Sequence, residues 1–296
     1  MSAEQLPLRH AVALGLIQGP AELLPISSSS HTALIPWLMR WRSEALDVEL
    51  RRSLEVALHG GTAAALLAGG LGSRMAERPP ARSLLLATAP PAAAGFVLER
   101  FIDRKLSSPK TIALGLLAGA AFMAAADGAT ERGRRARDAG ALDGLLLGGA
   151  QMLALAPGVS RNGATLAIAR ARGFGRADAQ ILSWQVGVPV IAGAAALKTY
   201  RETRRGRSRR FRGRLAAGAS AAFLSTLVST RVMPAGRVGA KDGEWSRSTR
   251  AGARGAGGAL MPYALYRLAL ALVVIRRLRD DRDANERRLR LRRRGG

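Results

Sequence analysis

The residues that could carry out chemistry are concentrated in two short segments of the chain. In the first, Gln18 and Glu22 are four residues apart and share a helix face, and residues 27–31 read Ser-Ser-Ser-Ser-His. A carboxylate, a hydroxyl and an imidazole are the minimum set for an activated nucleophile. Ionisable groups within an apolar stretch cost about 2.5–3.5 kcal/mol unless they face a cavity or a partner, so Glu22 and His31 indicate a functional site. The alternative for Glu22 is a structural ion pair with a buried arginine such as Arg161.

The second segment is the run Pro-Gly-Val-Ser-Arg-Asn-Gly-Ala-Thr over residues 157–165. Its arginine, Arg161, presents a rigid fork of donors that fits a phosphate group. The flanking glycines let the backbone approach a ligand closely. The run lacks the final Gly-Lys-Ser or Gly-Lys-Thr of a nucleotide-binding P-loop. The segment therefore indicates a phosphate site, and a plain turn between helices with an interfacial arginine is the alternative.

The rest of the chain must position these segments, and its composition indicates a membrane protein. The 296 residues carry a net charge of +25, yet 48% of them are hydrophobic and only 4% are aromatic. Six largely apolar windows approach the roughly 17–25 residues that cross a bilayer core; they are residues 56–73, 83–98, 111–126, 179–197, 215–230 and 259–275. Their Ala- and Gly-rich composition predicts close helix packing through small residues. A soluble bundle with long buried helices is the less favoured alternative.

The distribution of charged residues and the absence of cysteine limit which partners and ligands the chain can bind. The chain has no cysteine, which excludes disulfides, thiolate metal ligands and a cysteine nucleophile. Its arginine-dense segments, 201–214 and 276–294, predict topology anchoring and attraction to anionic lipids. RNA binding is the alternative for these segments. Because the chain has no interleaved aromatic residues and no zinc-ligand spacing, we predict a membrane bilayer and no nucleic acid as partner.

Two further apolar stretches, residues 11–36 and 144–171, are interrupted by polar and helix-breaking residues. Irregular backbone at membrane depth is tolerated where it is buried in protein or lines a cavity, so both are predicted to be re-entrant. Each is followed by three apolar windows, and an odd number of spans turns the second copy upside down in the membrane. We therefore predict an all-α integral membrane protein with about six transmembrane helices plus two re-entrant helix-loop-helix segments in an inverted-topology repeat. The repeats are expected at about 11–126 and 144–275.

Charges in the connecting loops predict the orientation of this single polytopic domain, residues 1–275. If both re-entrant segments return to the face that they entered, one face carries 27 Lys and Arg residues and the other carries 15. The positive-inside rule then places the more basic face in the cytoplasm, with both termini and an Arg-rich tail over residues 276–296. The amino terminus lacks the pattern of a cleaved secretory signal.

Taken together, the segments resemble the undecaprenyl-diphosphate phosphatase family, the bacitracin-resistance integral membrane phosphatases. Residues 18–22 match the family's Glu/Gln-x-x-x-Glu motif, residues 24–31 match its Leu-Pro-x-Ser-Ser-x-Gly-His continuation, and residues 157–165 match its Pro-Gly-x-Ser-Arg-Ser-Gly-Ala-Thr motif. Weaker similarity extends from about residue 11 to residue 275 and includes Tyr266-Arg267. The sequence departs from the pattern at Ser30 (usually Gly), Asn162 (usually Ser), His59 (often Gln) and Ser183-Trp184-Gln185-Val186 (usually a mostly apolar run).

The resemblance implies a phosphatase of the bacterial cell membrane that removes the terminal phosphate of undecaprenyl diphosphate. The product, undecaprenyl phosphate, is the recycled carrier lipid of peptidoglycan synthesis, and its recovery confers bacitracin resistance. The expected catalytic residues are Glu22, Ser28, His31 and Arg161, and the expected diphosphate-binding residues are Gln18, Ser27, Ser29, Ser160, Asn162 and Thr165. A polyprenyl-phosphate flippase or transporter that does not hydrolyse its lipid is the alternative.

The resemblance also implies individual roles. Ser28 is expected to be the nucleophile and His31 the general acid or base, although His31 or a water molecule remain alternatives as the attacking group. Arg161 is expected to bind phosphate. Glu22 is expected to act as a base or as a ligand to a divalent cation, Mg²⁺ or Ca²⁺, which would suit carboxylate and phosphate oxygens. The oligomeric state stays open.

Overall fold

The computed structural model describes residues 6–41, 48–69, 78–129, 132–205, 211–232 and 260–294. Within these ranges the regular structure is helical, and an isolated bridge between Arg134 and Phe174 is the one extended pairing. The all-α prediction is therefore confirmed for the described part of the chain. The helices are α1 (Leu8–Leu23), α2 (Ser28–Leu38), α3 (Val48–Ala68), α4 (Ala81–Lys105), α5 (Pro109–Asp127), α6 (Ala141–Leu153), α7 (Arg161–Ala171), α8 (Arg176–Arg205), α9 (Arg212–Val232) and α10 (Met261–Arg294), with a 3-10 turn at Ala136–Asp138.

Helices α1 and α2 form a first hairpin. Helix α1 ends before the extended residue Leu24, because Pro25 disfavours helical backbone at the residue that precedes it. Ser27 then adopts a left-handed φ of 73°, and α2 begins directly after it. At the base of the hairpin, the rings of His10 and Trp41 stack with their centroids 4.0 Å apart. The hairpin therefore begins and ends at the same end of the molecule.

Helices α6 and α7 form a second hairpin of the same design. Its turn contains Gly158, with a φ of 102°, and Ser160, with a left-handed φ of 64°, directly before α7. At its base, Nε of Arg172 donates a hydrogen bond to Oδ1 of Asp143 at 2.7 Å. This hairpin also begins and ends at one end of the molecule.

Four helices are long and apolar enough to cross a membrane, and they contain four of the six predicted windows. These spans are Ala81–Leu98, Pro109–Asp127, Arg176–Arg201 and Arg212–Val232. The windows 56–73 and 259–275 coincide largely with α3 and α10, which carry more charge along their length. Residues 70–73 and 259 lie outside the described residues. The described chain is thus an all-α protein with four candidate membrane spans.

No break separates the last predicted window from the arginine-rich tail. Helix α10 runs for 34 residues, from Met261 to Arg294. Residues 263–294 contain neither glycine nor proline, so nothing in the sequence ends the helix near residue 276. The tail predicted at 276–296 is therefore helical as far as residue 294.

Each hairpin packs on a helix from the opposite half of the chain. Helix α1 lies along α9 and α6 lies along α4, while α3 packs on α8 and α5 on α10. Both hairpin contacts use two glycines four residues apart, Gly15 and Gly19 in α1 and Gly144 and Gly148 in α6. A β-carbon on Gly19 would lie 2.1 Å from an atom of α9, and one on Gly148 would lie 2.6 Å from an atom of α4. Small residues therefore allow these backbones to approach closely.

The connecting loops gather at two ends of the molecule. At one end, Trp41 and Phe211 pack against the apolar cluster that contains Leu54. At the other end, Oδ1 of Asp127 accepts a hydrogen bond from the backbone N–H of Leu260 at 2.7 Å.

A buried carboxylate, Asp143, anchors the second of these ends. Arg134 donates to both of its oxygens at 3.1 and 2.6 Å, Arg172 donates at 2.7 Å, and the backbone N–H of Gly140 donates at 2.8 Å. Burial alone would raise the pKa of this carboxyl, but the donors outweigh burial and hold the pKa at about 2. Asp143 therefore ties the loop before α6 to the turn between α7 and α8.

We expect Asp143→Asn to destabilise the folded protein. The folded-state pKa lies below the usual value near 3.9, so the stabilisation is present above about pH 4 and is lost as the pH falls toward 2. This difference in pKa corresponds to about 2–3 kcal/mol. At pH 7 the thermal unfolding midpoint of the variant in detergent should lie several degrees below that of the parent, and the gap should narrow at pH 3.

The control for this measurement is Asp281→Asn. The Asp281 side chain is 46% exposed and pairs with Arg277 on the surface of α10, and such surface pairs contribute about 0–1 kcal/mol. Equal losses of stability in the two variants would contradict the anchoring role of Asp143.

Candidate functional site

The tips of the two hairpins meet, and this contact brings the two predicted segments together. Nη2 of Arg161 donates a hydrogen bond to Oε1 of Glu22 at 2.8 Å, although the residues are 139 positions apart. Beside this pair, Nδ2 of Asn162 donates to the backbone carbonyl of Leu23 at 2.6 Å. Glu22 is 8% exposed, so its carboxylate is buried against the cation. The structural pairing considered for Glu22 from the sequence is therefore present.

The second oxygen of the Glu22 carboxylate faces the serine run. The hydroxyl of Ser28 donates to Oε2 of Glu22 at 2.6 Å, and Nε2 of Gln18 donates to the same oxygen at 3.4 Å. Ser28 is half-buried, so its hydroxyl remains accessible at the tip. A carboxylate that accepts a short hydrogen bond from a hydroxyl is the geometry required of a general base and its nucleophile.

The other serines of the run stabilise the turn. The hydroxyl of Ser27 lies 2.9 Å from that of Ser30 and 3.4 Å from that of Ser29. Ser27 and Ser30 are buried, whereas Ser29 is exposed. Ser30, where the family usually has glycine, therefore adds a hydrogen bond inside the turn without filling the tip.

The imidazole of His31 is directed away from Glu22 and engages two other partners. Its Nδ1 lies 2.8 Å from the backbone carbonyl of Ser27, and its Nε2 lies 2.6 Å from the hydroxyl of Tyr266 on α10. A carbonyl only accepts hydrogen bonds, so Nδ1 is the donor, and in the neutral ring Nε2 accepts from the Tyr266 hydroxyl. Both ring nitrogens of His31 are thus engaged with Ser27 and Tyr266, and its general acid or base role stays a prediction.

Three of the predicted phosphate-binding residues have their polar atoms engaged with the protein. The hydroxyl of Ser160 accepts from the backbone N–H of Gly163 at 3.2 Å. Ser183 donates to Oδ1 of Asn162 at 2.6 Å, and its hydroxyl also lies 2.6 Å from that of Thr165. These contacts fix the start of α7 on α1 and α8. The expectation that Ser160, Asn162 and Thr165 donate to a phosphate group stays a prediction.

The guanidinium of Arg161 keeps one nitrogen available. Its Nη1 is buried and has no hydrogen-bond partner among the described residues. Gly187 on α8 makes room for it, because a β-carbon there would lie 1.7 Å from Nη1. Arg161 can therefore hold Glu22 with one nitrogen and present the other to a ligand.

Sequence reasoning missed two residues that organise the site. Nε2 of His59 on α3 lies 3.9 Å from Oε2 of Glu22, and its Nδ1 donates to the carbonyl of Glu55. The signal was present, because His59 is an ionisable residue inside a predicted apolar window. The second is Arg267, which is fully buried and donates to the carbonyls of Gly158 and Val159 in the turn before Arg161.

The donors at the tips do not form a metal site by themselves. No group of three or more His, Asp or Glu side chains that could hold a metal ion occurs among the described residues. Both oxygens of Glu22 accept hydrogen bonds from protein groups. A cation at Glu22 would need most of its oxygen ligands from a bound substrate or from water.

Chemically, the tips combine a buried carboxylate, an accessible hydroxyl and a cationic fork. The carboxylate can take the proton of the hydroxyl, and the fork can neutralise the charge on a phosphate group that reacts with it. The arrangement therefore suits transfer of a phosphoryl group to Ser28 or to a water molecule in its place.

Comparisons with known proteins agree with this chemistry. The family described as bacitracin resistance protein BacA matches residues 11–236. Three curated relatives carry the name undecaprenyl-diphosphatase. The protein of Moorella thermoacetica is 37% identical over 201 residues, which cover 64% of this chain and 75% of that protein. Those of Geobacter sulfurreducens (37% over 210 residues, 64% and 75%) and Trichlorobacter lovleyi (38% over 212 residues, 64% and 74%) are similar to the same extent.

We expect Asn162→Ala to destabilise the junction of the hairpin tips. The change removes the hydrogen bond to the buried carbonyl of Leu23 and one of the hydrogen bonds of Ser183, and the lost bond to the carbonyl costs about 1–3 kcal/mol. Thermal unfolding in detergent should show the loss. Asn285→Ala, at an exposed position of α10, is the matched control and should leave the unfolding midpoint unchanged. If the two variants unfold at the same temperature, Asn162 does not hold the tips together.

Proposed function

The chain belongs to the family of bacitracin resistance protein BacA, and from this membership we infer that it is an undecaprenyl-diphosphate phosphatase. It hydrolyses undecaprenyl diphosphate to undecaprenyl phosphate and inorganic phosphate, and so returns the carrier lipid to peptidoglycan synthesis. One observation carries the proposal within the site: Glu22 lies between the Ser28 hydroxyl and the Arg161 guanidinium. The alternative of lipid transport without hydrolysis is not favoured, because the relatives are named for a hydrolase.

We propose that Arg161 binds the terminal phosphate. Its buried Nη1 has no partner among the described residues, whereas Nη2 stays on Glu22. The diphosphate group brings negative charge into a largely apolar protein, and a guanidinium offsets that charge with directed hydrogen bonds. In this arrangement one arginine positions the base and binds the substrate at the same time. The predicted donors Gln18, Ser29, Ser160 and Thr165 surround the same tip.

Phosphoryl transfer then proceeds in two steps. Oγ of Ser28 attacks the terminal phosphorus and gives its proton to Glu22, while the bond from phosphorus to the bridging oxygen breaks. Undecaprenyl phosphate leaves with the proton from Glu22. The free carboxylate next takes a proton from a water molecule, whose oxygen attacks the phosphorus of the phosphoserine. The bond from phosphorus to Oγ of Ser28 breaks, Glu22 returns the proton to Oγ, and inorganic phosphate is released. The proposed role of His31, with Tyr266 beyond it, is to hold the Ser27 carbonyl and thereby the serine turn.

A divalent cation, Mg²⁺ or Ca²⁺, is part of the proposal. Such cations bind oxygen ligands, and Glu22 together with the diphosphate oxygens supplies them at the tip. Because both Glu22 oxygens also accept protein hydrogen bonds, the substrate would hold most of the cation. The cation would supply charge neutralisation on the diphosphate.

For the membrane arrangement we propose six transmembrane helices, α3–α5 and α8–α10, and two re-entrant hairpins in inverted repeats at about 11–126 and 144–275. The closed hairpin bases, the left-handed serines at both turns and the paired glycines support this proposal. The protein lies in the bacterial cell membrane. Its termini and the more basic face are proposed to be cytoplasmic.

We expect Arg161→Ala to lower phosphate release from undecaprenyl diphosphate in detergent by about 10³-fold, because the variant loses the guanidinium that donates directed hydrogen bonds to the terminal phosphate. Arg161→Lys should retain the charge but lose the fork and remain strongly impaired. Arg282→Ala, at a side chain 79% exposed on α10, is the control and should turn over like the parent. Near-normal turnover by a well-folded Arg161→Ala protein would reject the phosphate-binding role.

We expect Ser28→Ala to lower the same rate by at least about 10³-fold and to abolish the phosphoenzyme. The protein is mixed with substrate labelled at the terminal phosphate, and the reaction is quenched with acid. The parent and the control Ser107→Ala should then carry the label covalently, and Ser28→Ala should not. Ser107 is exposed between α4 and α5. A rate close to that of the parent would move the attack to His31 or to a water molecule.

A further inference from the structure

A cavity lies at the base of the first hairpin, away from the tips. It encloses about 480 Å³, a volume within the range of small-ligand sites. The twelve positions from His10 to Glu22 along α1 separate it from the tip by about 18 Å. The residues that line it are Pro7, Arg9, His10, Ala13, Arg40 and Trp41.

The charges around this basal cavity favour an anion. Two arginines, Arg9 and Arg40, line it, and no acidic residue lines it within the described part of the chain. Among the described residues, the carboxylate of Asp281 lies 3.9 Å from Arg40 in an exposed contact. No side chain among the described residues caps the start of α1, so the positive end of the helix dipole also lies there.

A buried nitrogen of His10 is a second feature that indicates a ligand in the basal cavity. His10 is only 7% exposed, and its Nδ1 has no hydrogen-bond partner among the described residues. The stack on Trp41, with an angle of 12° between the rings, fixes the imidazole at the cavity wall. A buried polar atom left without a partner costs about 1–3 kcal/mol, and a ligand that accepts from Nδ1 would remove this cost.

The surroundings indicate that the anion belongs to a lipid. Leu8 and Met39 next to the cavity are 55% and 62% exposed, and Trp41 is of the type enriched at membrane interfaces. We propose that the basal cavity binds the phosphate group of an anionic membrane phospholipid, with His10, Arg9 and Arg40 as donors.

Native mass spectrometry of the full chain in detergent tests this proposal. Phosphatidylglycerol and phosphatidylcholine with the same acyl chains are titrated onto the parent, His10→Phe, Arg40→Gln and the control Arg282→Gln. His10→Phe keeps an aromatic ring to stack on Trp41 but removes the nitrogen, and Arg40 is 72% exposed, so its change leaves the fold intact. We expect about tenfold weaker phosphatidylglycerol binding in both variants and none of this loss in the control.

Three results would overturn the proposal. They are unchanged phosphatidylglycerol affinity in both variants, equal affinity of the parent for phosphatidylcholine, and displacement of the lipid by an equal concentration of inorganic phosphate, which would identify a free-phosphate site. Phosphate release from undecaprenyl diphosphate without added phospholipid should be unchanged in both variants. A failure of the lipid-binding proposal can therefore be distinguished from a failure of the proposed hydrolysis.

Discussion

The ion pair between Glu22 and Arg161 joins two segments that are 139 residues apart. A carboxylate taken from water into apolar protein is stable only with a well-placed cation and further hydrogen bonds. Those partners come from the second hairpin, from Ser28 and from Gln18. The tips must therefore meet within the protein, while the bases of the two hairpins lie at opposite ends. The glycine contacts of α1 with α9 and of α6 with α4 hold the hairpins in this position.

The turns at the two tips have the same backbone conformation but carry different functional groups. Ser27 and Ser160 both have a left-handed φ, and a helix begins directly after each of them. At the first helical position, one hairpin presents the Ser28 hydroxyl and the other presents the Arg161 guanidinium. Helix α10 supports both turns from two neighbouring positions: Tyr266 hydrogen-bonds His31, and Arg267 donates to the carbonyls of Gly158 and Val159. Turns of the same shape thus supply a hydroxyl from one hairpin and a guanidinium from the other.

The sequence was most informative about residues whose charge is energetically costly in an apolar segment. Glu22 and Arg161 were identified because charged groups are expensive in apolar segments, and the structure pairs them. Gly187 acts only through its contact with Arg161 on a distant helix, so local pattern could not reveal it, whereas Arg267 carried the same signal as His59, a charged residue inside an apolar window. The roles expected of Asn162 and Thr165 rested on residue type, whereas their surroundings turn these side chains toward Leu23 and Ser183. The sequence placed a boundary at residue 276, where the composition changes from apolar to arginine-rich. Helix α10 continues through this point because both compositions favour helical backbone.

Because each hairpin packs on the opposite half, the order of synthesis matters for the nascent chain. Glu22 leaves the ribosome 139 residues before Arg161. At about 5–20 residues per second, this interval is roughly 7–28 s. Helix α9, on which α1 packs through Gly15 and Gly19, is made later still. During biogenesis the first hairpin is therefore made before the cation and the helix that complete it, and the two tips can assemble on α9 only after residue 232 has been translated.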